Sequence, residues 1–120
     1  MATVLLVEDN EDVREMMSVA LELAGIRVIA AANGRDALHV LETGTELCLI
    51  LLDLMMPVMD GWQFRAILSK DPRRAQIPIV VVSAMTAEMA LRMGATAYLP
   101  KPVDLDRLLE IVSSHCPSCR

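Results

Sequence analysis

The chain has 120 residues, the length of one domain, and its 54% hydrophobic content excludes an intrinsically disordered protein. Its net charge of −5 at pH 7 disfavours direct binding to nucleic acid, which needs a basic face, and suits divalent cations or basic partners. No apolar run approaches the roughly 20 residues of a membrane span, and the first residues lack the basic start of a secretory signal, so we expect a cytoplasmic protein.

The first half of the chain alternates between strand-like and helix-like segments. TVLLV (3–7) is short and continuously apolar, which predicts a buried strand, and apolar residues at helical spacing then predict a helix that stops at Gly25. RVIAAA (27–32) predicts a second strand. Asn33 can cap the helix that follows, which ends at Gly44.

The second half continues the alternation with three more strands and three more helices. LCLILL (47–52), IPIVVVS (77–83) and ATAYL (95–99) predict the strands, and Trp62 and Phe64 are placed on the inward face of the third helix. The helices are predicted from Asp60-Gly61 to Asp71, from Thr86 to Met93, and from the cap Asp104 to about Ser114.

Five strand–helix units in series indicate a parallel sheet with helices on both faces. Continuous rather than alternating apolar strands fit this arrangement, because both faces of such a sheet are covered. The predicted fold is therefore the flavodoxin-like doubly wound α/β fold, with five strands in the order 2-1-3-4-5 and a short fourth helix. We expect a single domain over residues 1–120, with a flexible tail at 115–120.

Three cysteines are too few to indicate a disulfide scaffold. Cys48 lies within an apolar run and is interpreted as a small core residue. Cys116 and Cys119 form a C-x-x-C beside His115, which would suit a redox dithiol or half of a zinc site. We favour a frayed end without either function, because redox pairs of this type open a helix after a strand and zinc needs further ligands.

Polar residues follow four of the five predicted strands. Glu8-Asp9 come after the first strand, Asp53 after the third, Ser83 after the fourth and Lys101 after the fifth. The carboxyl ends of parallel strands share one edge, where ligands bind in doubly wound folds. Three carboxylates there favour a hard divalent cation such as Mg²⁺, and a lysine and a hydroxyl suit phosphoryl oxygens. Asp53 is then a candidate nucleophile that forms an aspartyl phosphate.

Each of these residues also has an ordinary structural explanation. Asp9 can be only the N-cap of the first helix, and Ser83 can cap a turn. Glu8 and Lys101 can be solvent-exposed surface charges. A ligand site is favoured because all of them are predicted at the same edge of the sheet.

Four motifs in order resemble response-regulator receiver domains of two-component signalling over essentially the whole chain. They are VLLVEDN (4–10), LLDLMMPVMDGW (51–62), VVVSA (80–84) and GATAYLPKP (94–102). The resemblance implies that Asp53 is the phosphoacceptor, which takes a phosphoryl group from the phosphohistidine of a sensor histidine kinase or a phosphotransfer protein. It implies an unknown downstream protein or output domain as a second partner and leaves a homodimer open.

The resemblance also assigns roles to the other site residues. Glu8 and Asp9 look like the acidic pair that holds Mg²⁺, with Asp53 and the backbone carbonyl of Met55 as further ligands. Lys101 matches the lysine that contacts phosphate.

A conformational switch is implied as well. Ser83 would move toward the new phosphoryl group and Tyr98 would rotate into the space behind it, which shifts the face built by the fourth helix, fifth strand and fifth helix. Lys101-Pro102 would be a cis peptide bond.

Three features depart from what we expect of the family, and the first of them, Glu8-Asp9 in place of two aspartates, should cost metal binding little. Ser83 and Lys101 are 18 positions apart, about one helical turn fewer than expected, which predicts the short fourth helix. Met55 and Met85 follow Asp53 and Ser83 by two residues, where methionine cannot orient a hydrolytic water well. We therefore expect slow autodephosphorylation and no turnover enzyme.

Three alternatives remain open at this point. A Mg²⁺-dependent phosphohydrolase would use the same aspartate but needs a second acid near it, where Met55 stands. A flavin-binding protein would need a Ser/Thr/Gly-rich phosphate loop in place of Glu8-Asp9. An unphosphorylated receiver-like scaffold would not need the complete set of site residues.

Overall fold

The computed structural model describes residues 3–54, 61–84, 86–92 and 94–116. Its strands are β1 (Thr3–Val7), β2 (Arg27–Ala31), β3 (Leu49–Leu52), β4 (Ile79–Ser83) and β5 (Ala97–Pro100). Its helices are α1 (Glu11–Leu23), α2 (Gly34–Glu42), α3 (Gly61–Leu68), α4 (Ala87–Arg92) and α5 (Leu105–His115), with a 3-10 helix at Arg74–Gln76.

All five strands are parallel and form one sheet in the order β2-β1-β3-β4-β5. This is the predicted doubly wound topology, and the fourth helix is short, as expected, with six residues. The order reverses between β1 and β3, so the carboxyl ends of these two central strands border the crevice where such folds bind ligands.

Alternate residues of the central strands face two separate hydrophobic clusters, one on each side of the sheet. Val4 and Leu6 face the side covered by α1 and α5, whereas Leu5 and Val7 face the side covered by α2, α3 and α4. The helices contribute Met17, Leu21, Leu108 and Val112 on the first side and Ala37, Leu41, Phe64, Leu68 and Ala90 on the second. Burial on both faces explains why the strand sequences are continuously apolar.

Four of the five strands differ from the predicted boundaries by one or two residues at an end, since β2 ends at Ala31 and β3 begins at Leu49. At β4 and β5 a neighbouring turn explains the difference. β4 begins at Ile79 rather than at 77, because Ile77 N–H bonds to the Arg74 carbonyl and closes the 3-10 turn. β5 begins at Ala97 rather than at 95, because Ala95 N–H still bonds to the Ala90 carbonyl at the end of α4. In both cases a preceding turn uses the residues that the apolar pattern assigned to the strand.

On α3, the two aromatic residues have different environments. Phe64 is fully buried in the cluster beneath α2, α3 and α4, as predicted. The inward placement of Trp62 is wrong, because this side chain is 36% exposed.

The first turns of α1 and α5 are capped by side chains. Asn10 caps α1 by accepting from Val13 N–H at 3.0 Å, so the alternative in which Asp9 is this cap is wrong. Asp104 caps α5 by accepting from Asp106 N–H at 3.0 Å, as predicted.

Cys48 and Cys116 form a disulfide, with their Cα atoms 5.7 Å apart. Cys48 does pack against the core, but as half of a disulfide rather than as an unpaired residue. His115 belongs to α5 and Cys116 is fully buried, so these two residues are not part of a flexible tail. Cys119 lies outside the described residues. Because 68 positions separate the paired cysteines, their proximity depends on the whole fold.

Among the helices that the structure describes, none combines the length and the apolar sequence needed to cross a membrane.

Replacing the α2 cap tests the local basis of the fold. Asn33 accepts from Asp36 N–H at 2.9 Å, so Asn33→Ala leaves that donor without its side-chain acceptor. We expect the free energy of unfolding to fall by about 1 kcal/mol, measured by urea denaturation. Asn33→Ser keeps a capping oxygen and should lose much less; equal losses in the two variants would contradict the capping role.

Candidate functional site

Backbone hydrogen bonds fix three predicted site residues at the carboxyl edge of the sheet. Glu8 N–H donates to a carbonyl of β2 and Asp53 N–H to a carbonyl of β1, both at 3.0 Å. Lys101 N–H donates to the carbonyl of Ser83 at 3.1 Å. Each residue therefore continues the hydrogen-bonding pattern of the sheet just beyond its own strand, where the backbone is held in place.

The side chain of Lys101 joins two buried carboxylates. Its Nζ lies 3.0 Å from Asp53 Oδ2 and in ion-pair contact with Glu8 Oε1. Glu8 is 1% exposed and Asp53 is 4% exposed, so water compensates little of their charge. Burial of unpaired carboxylates is very costly. The shared ammonium group explains how an apolar strand can end in a buried aspartate.

Asp9 completes an acidic cluster at the same edge. Glu8, Asp9 and Asp53 each offer a carboxylate oxygen, and these oxygens lie within 4.8 Å of one another, with Asp9 exposed to solvent. Three carboxylates and one ammonium carry a formal charge of −2 when all are ionised. Oxygen ligands from two loops and an excess of two negative charges fit a Mg²⁺ ion, which takes few carboxylates and fills its shell with water or phosphate oxygens.

The pKa values of Glu8 and Lys101 reflect this arrangement. Burial raises the pKa of Glu8 from 4.5 to about 7, and the nearby negative charge of Asp53 adds to the rise, against the lowering effect of Lys101 and of a backbone N–H. Burial alone would lower the pKa of Lys101, but its contacts with Glu8 and Asp53 outweigh burial and hold that pKa above its ordinary value. Lys101 is therefore cationic throughout the physiological pH range.

Two residues that the sequence analysis did not select hold the acidic loop in shape. Asn10 N–H donates to Glu8 Oε2 at 3.1 Å, in addition to the capping role of the Asn10 side chain. Arg14 Nη1 donates to the carbonyl of Glu8 at 2.9 Å and lies 3.4 Å from that of Asp9. An arginine in the second turn of a helix gives no sequence signal for this role, because the contact depends on how the preceding loop turns.

Ser83 and Tyr98 lie together beside this cluster. Ser83 is the last residue of β4 and is fully buried. Tyr98, which is half-buried, donates its hydroxyl to the carbonyl of Ser83 at 3.2 Å. The Lys101–Pro102 peptide bond is cis. Met55 and Met85, for which the sequence suggested a metal-binding carbonyl and an effect on hydrolysis, lie outside the described residues.

The fold is that of a flavodoxin-like doubly wound domain, and the acidic cluster and lysine at the carboxyl edge of its sheet have the chemistry to hold a cation. The sequence model of the response regulator receiver domain family matches residues 4–113 of the chain. The chain belongs to this family, whose members are signalling domains of two-component systems and bind Mg²⁺ at an acidic pocket.

Individual relatives show how far the similarity extends. The chain is 39% identical over 113 residues to the regulatory protein AtoC of Escherichia coli, covering 91% of this chain but only 24% of AtoC. It is 32% identical over 118 residues to protein PilH of Pseudomonas aeruginosa, covering 95% of this chain and 97% of PilH. Receiver domains therefore occur both within longer regulators and as nearly the whole of a short protein.

A solved structure shares the fold. The receiver domain of the sensor histidine kinase PA1611 from Pseudomonas aeruginosa superposes with a TM-score of 0.87 at 27% identity, covering 97% of this chain and 98% of that one. That structure has a magnesium ion coordinated in its active site cleft.

The raised pKa of Glu8 predicts how stability depends on pH without metal. Between pH 4.5 and about 7 the folded protein keeps a proton on Glu8 that the unfolded chain releases, so stability falls as the pH rises through this window. We expect Glu8→Gln to raise Tm by roughly 5 °C relative to wild type at pH 8 and by much less at pH 4.5, in buffer with a chelator.

Glu15→Gln is the matched control, because Glu15 is exposed on α1. The variant should follow the wild-type pH profile. A Glu8→Gln profile that also runs parallel to wild type would show that Glu8 does not carry the proton.

Proposed function

We propose that the domain is a phosphorylation-dependent signalling switch in which Asp53 accepts a phosphoryl group from the phosphohistidine of a histidine kinase or phosphotransfer protein. The observation that carries this proposal is the contact of Lys101 with Asp53 at 3.0 Å inside a buried acidic cluster. A carboxylate of this kind is a competent nucleophile, and the adjacent ammonium lies where a transferred phosphoryl oxygen would arrive.

The transfer exchanges one bond to phosphorus for another. A carboxylate oxygen of Asp53 forms the new bond to phosphorus as the bond from phosphorus to the imidazole nitrogen breaks, and that nitrogen keeps the electron pair. Lys101 stays cationic during the step and exchanges part of its contact with the carboxylates for a phosphoryl oxygen. Fixed positioning and charge neutralisation are what phosphoryl transfer mainly requires from a protein.

Glu8, Asp9, Asp53 and the backbone carbonyl of Met55 are the proposed Mg²⁺ ligands. When bound, Mg²⁺ would neutralise the charge of the transferring phosphoryl group. The loop contacts of Asn10 and Arg14 hold the first two of these ligands in position before any metal arrives.

The output of the switch is proposed to run through Ser83 and Tyr98. The Ser83 hydroxyl would donate to a phosphoryl oxygen on Asp53, and this would disturb the bond from the Tyr98 hydroxyl to the Ser83 carbonyl. Tyr98 lies on β5, between α4 and α5 in the chain, so a change in its ring position alters the face built by α4, β5 and α5. That face would meet the downstream protein or output domain.

We place this function in the cytoplasm and treat the domain as a phosphoacceptor with at most slow autodephosphorylation, not as a turnover enzyme. Partners would be the kinase or phosphotransfer protein and one downstream protein, with neither nucleic acid nor membrane bound directly. The proposal leaves a homodimer open.

Incubation with Mg²⁺ and a small acyl phosphate, followed by intact mass measurement, tests the acceptor role. We expect the mass to rise by one phosphoryl group in wild type and not in Asp53→Ala. Asp12→Asn is the matched control, since Asp12 is exposed in the first turn of α1 and lies outside the cluster. It should be phosphorylated like wild type, and the adduct should persist for many minutes after the donor is removed.

The other outcomes select among the alternatives. A folded wild-type protein that gains no mass would indicate a scaffold. Continuous release of phosphate without a stable adduct would indicate a phosphohydrolase, and loss of the adduct within seconds would contradict slow autodephosphorylation.

Tyr98 is the single tyrosine of the chain. In a sample with isotope-labelled tyrosine, the NMR signals of the ring therefore come from Tyr98 and need no further assignment. Beryllium fluoride with Mg²⁺, which mimics an aspartyl phosphate, should shift the ring resonances of Tyr98 in NMR spectra of wild type. The shift should be absent in Asp53→Ala. Unchanged resonances in a wild-type sample that binds the mimic would rule out a Tyr98 switch.

A further inference from the structure

We infer that Cys48 and Cys116 form a reversible thiol-redox site that ties the end of α5 to the beginning of β3. Cys48 immediately precedes β3, and Cys116 immediately follows α5. Nothing in the proposed phosphoryl chemistry uses this pair, because Asp53 follows the opposite end of β3.

The structure accommodates the reduced pair as well as the disulfide. Cys48 Sγ lies 3.4 Å from the carbonyl oxygen of Thr3, so a Cys48 thiol has an acceptor in place. Cys116 packs in the hydrophobic cluster beneath α1 and α5, where a thiol behaves as a small apolar residue. Cys116 N–H bonds to the Val112 carbonyl at 2.9 Å, and this bond does not depend on the sulfur. The fold therefore does not require the disulfide.

The two cysteines differ in exposure. Cys116 is fully buried, whereas Cys48 is half-buried, so we assign the first attack of an incoming thiolate to the Cys48 sulfur. Attack by a dithiol reductant forms a mixed disulfide with Cys48 and releases Cys116, which takes up a proton. The second thiol of the reductant then displaces Cys48, leaving two protein thiols and an oxidised reductant. Glutathione disulfide oxidises the two protein thiols back to the disulfide and is itself reduced to two glutathione thiols.

Oxidation closes a long segment of the chain. The cysteines are 68 positions apart, so the bridge restricts the unfolded chain much more than the folded domain. It also fastens the last turn of α5 to the sheet. We expect the oxidised protein to melt roughly 10 °C above the reduced protein.

Counting free thiols on the full chain tests the site. Protein equilibrated with glutathione disulfide or with dithiothreitol is denatured, alkylated with N-ethylmaleimide and weighed. Of the three cysteines, we expect only Cys119 to carry N-ethylmaleimide or glutathione after oxidation and all three to carry N-ethylmaleimide after reduction, as located by peptide mapping. Alkylation of Cys48 in the oxidised sample, a persistent glutathione adduct on Cys48, or three adducts in both samples would overturn the inference.

Two variants separate the Cys48 pairing from one within the C-x-x-C. Cys119→Ser should keep the difference in Tm between oxidised and reduced protein, and Cys48→Ser should abolish it. If Cys48→Ser does not fold, the comparison of wild type with Cys119→Ser is sufficient. Loss of the difference in Tm in Cys119→Ser would show that the stabilising disulfide includes Cys119, and this would overturn the pairing of Cys48 with Cys116.

Discussion

The contact of the Lys101 ammonium with the carboxylates of Glu8 and Asp53 is the interaction on which the site depends. Without this cation, two carboxylates with almost no exposure would stand at the edge of an apolar sheet, and their burial would be very costly. With the Lys101 ammonium in place, the carboxyl edge of the sheet still has an excess of negative charge, because Asp9 lies beside Glu8 and Asp53. The same arrangement thus offsets part of the cost of burying two carboxylates and leaves an excess of negative charge that fits a metal ion.

The sheet topology brings these groups together, and this part could be predicted from the sequence. Continuous apolar strands separated by helices specify a parallel sheet, and parallel strands carry the residues after each strand to a common edge. Glu8, Asp53 and Lys101 are positioned by backbone hydrogen bonds that follow from the strand order. The boundaries of β4 and β5 were predicted less well, because hydrogen bonds of the neighbouring turns compete for residues with apolar, strand-like character.

The remaining details of the site depend on the three-dimensional structure and have no signal in the sequence. Arg14 contacts the acidic loop only because of the way the chain turns after β1, and no spacing rule indicates such a contact. The raised pKa of Glu8 depends on its burial and on the distance to Lys101, neither of which appears in the sequence. The pairing of Cys48 with Cys116 likewise depends on where α5 ends relative to β3, and Trp62 is exposed although its spacing suggested the core.

A crystal structure with Mg²⁺ and beryllium fluoride would test the central claim most directly. We expect a metal ion held by Glu8, Asp9 and Asp53, a beryllium fluoride group on the Asp53 carboxylate, and the Lys101 ammonium in contact with a fluorine. A structure in which the mimic binds elsewhere, or in which Lys101 remains paired only with Glu8 and the carboxylates hold no metal, would contradict it.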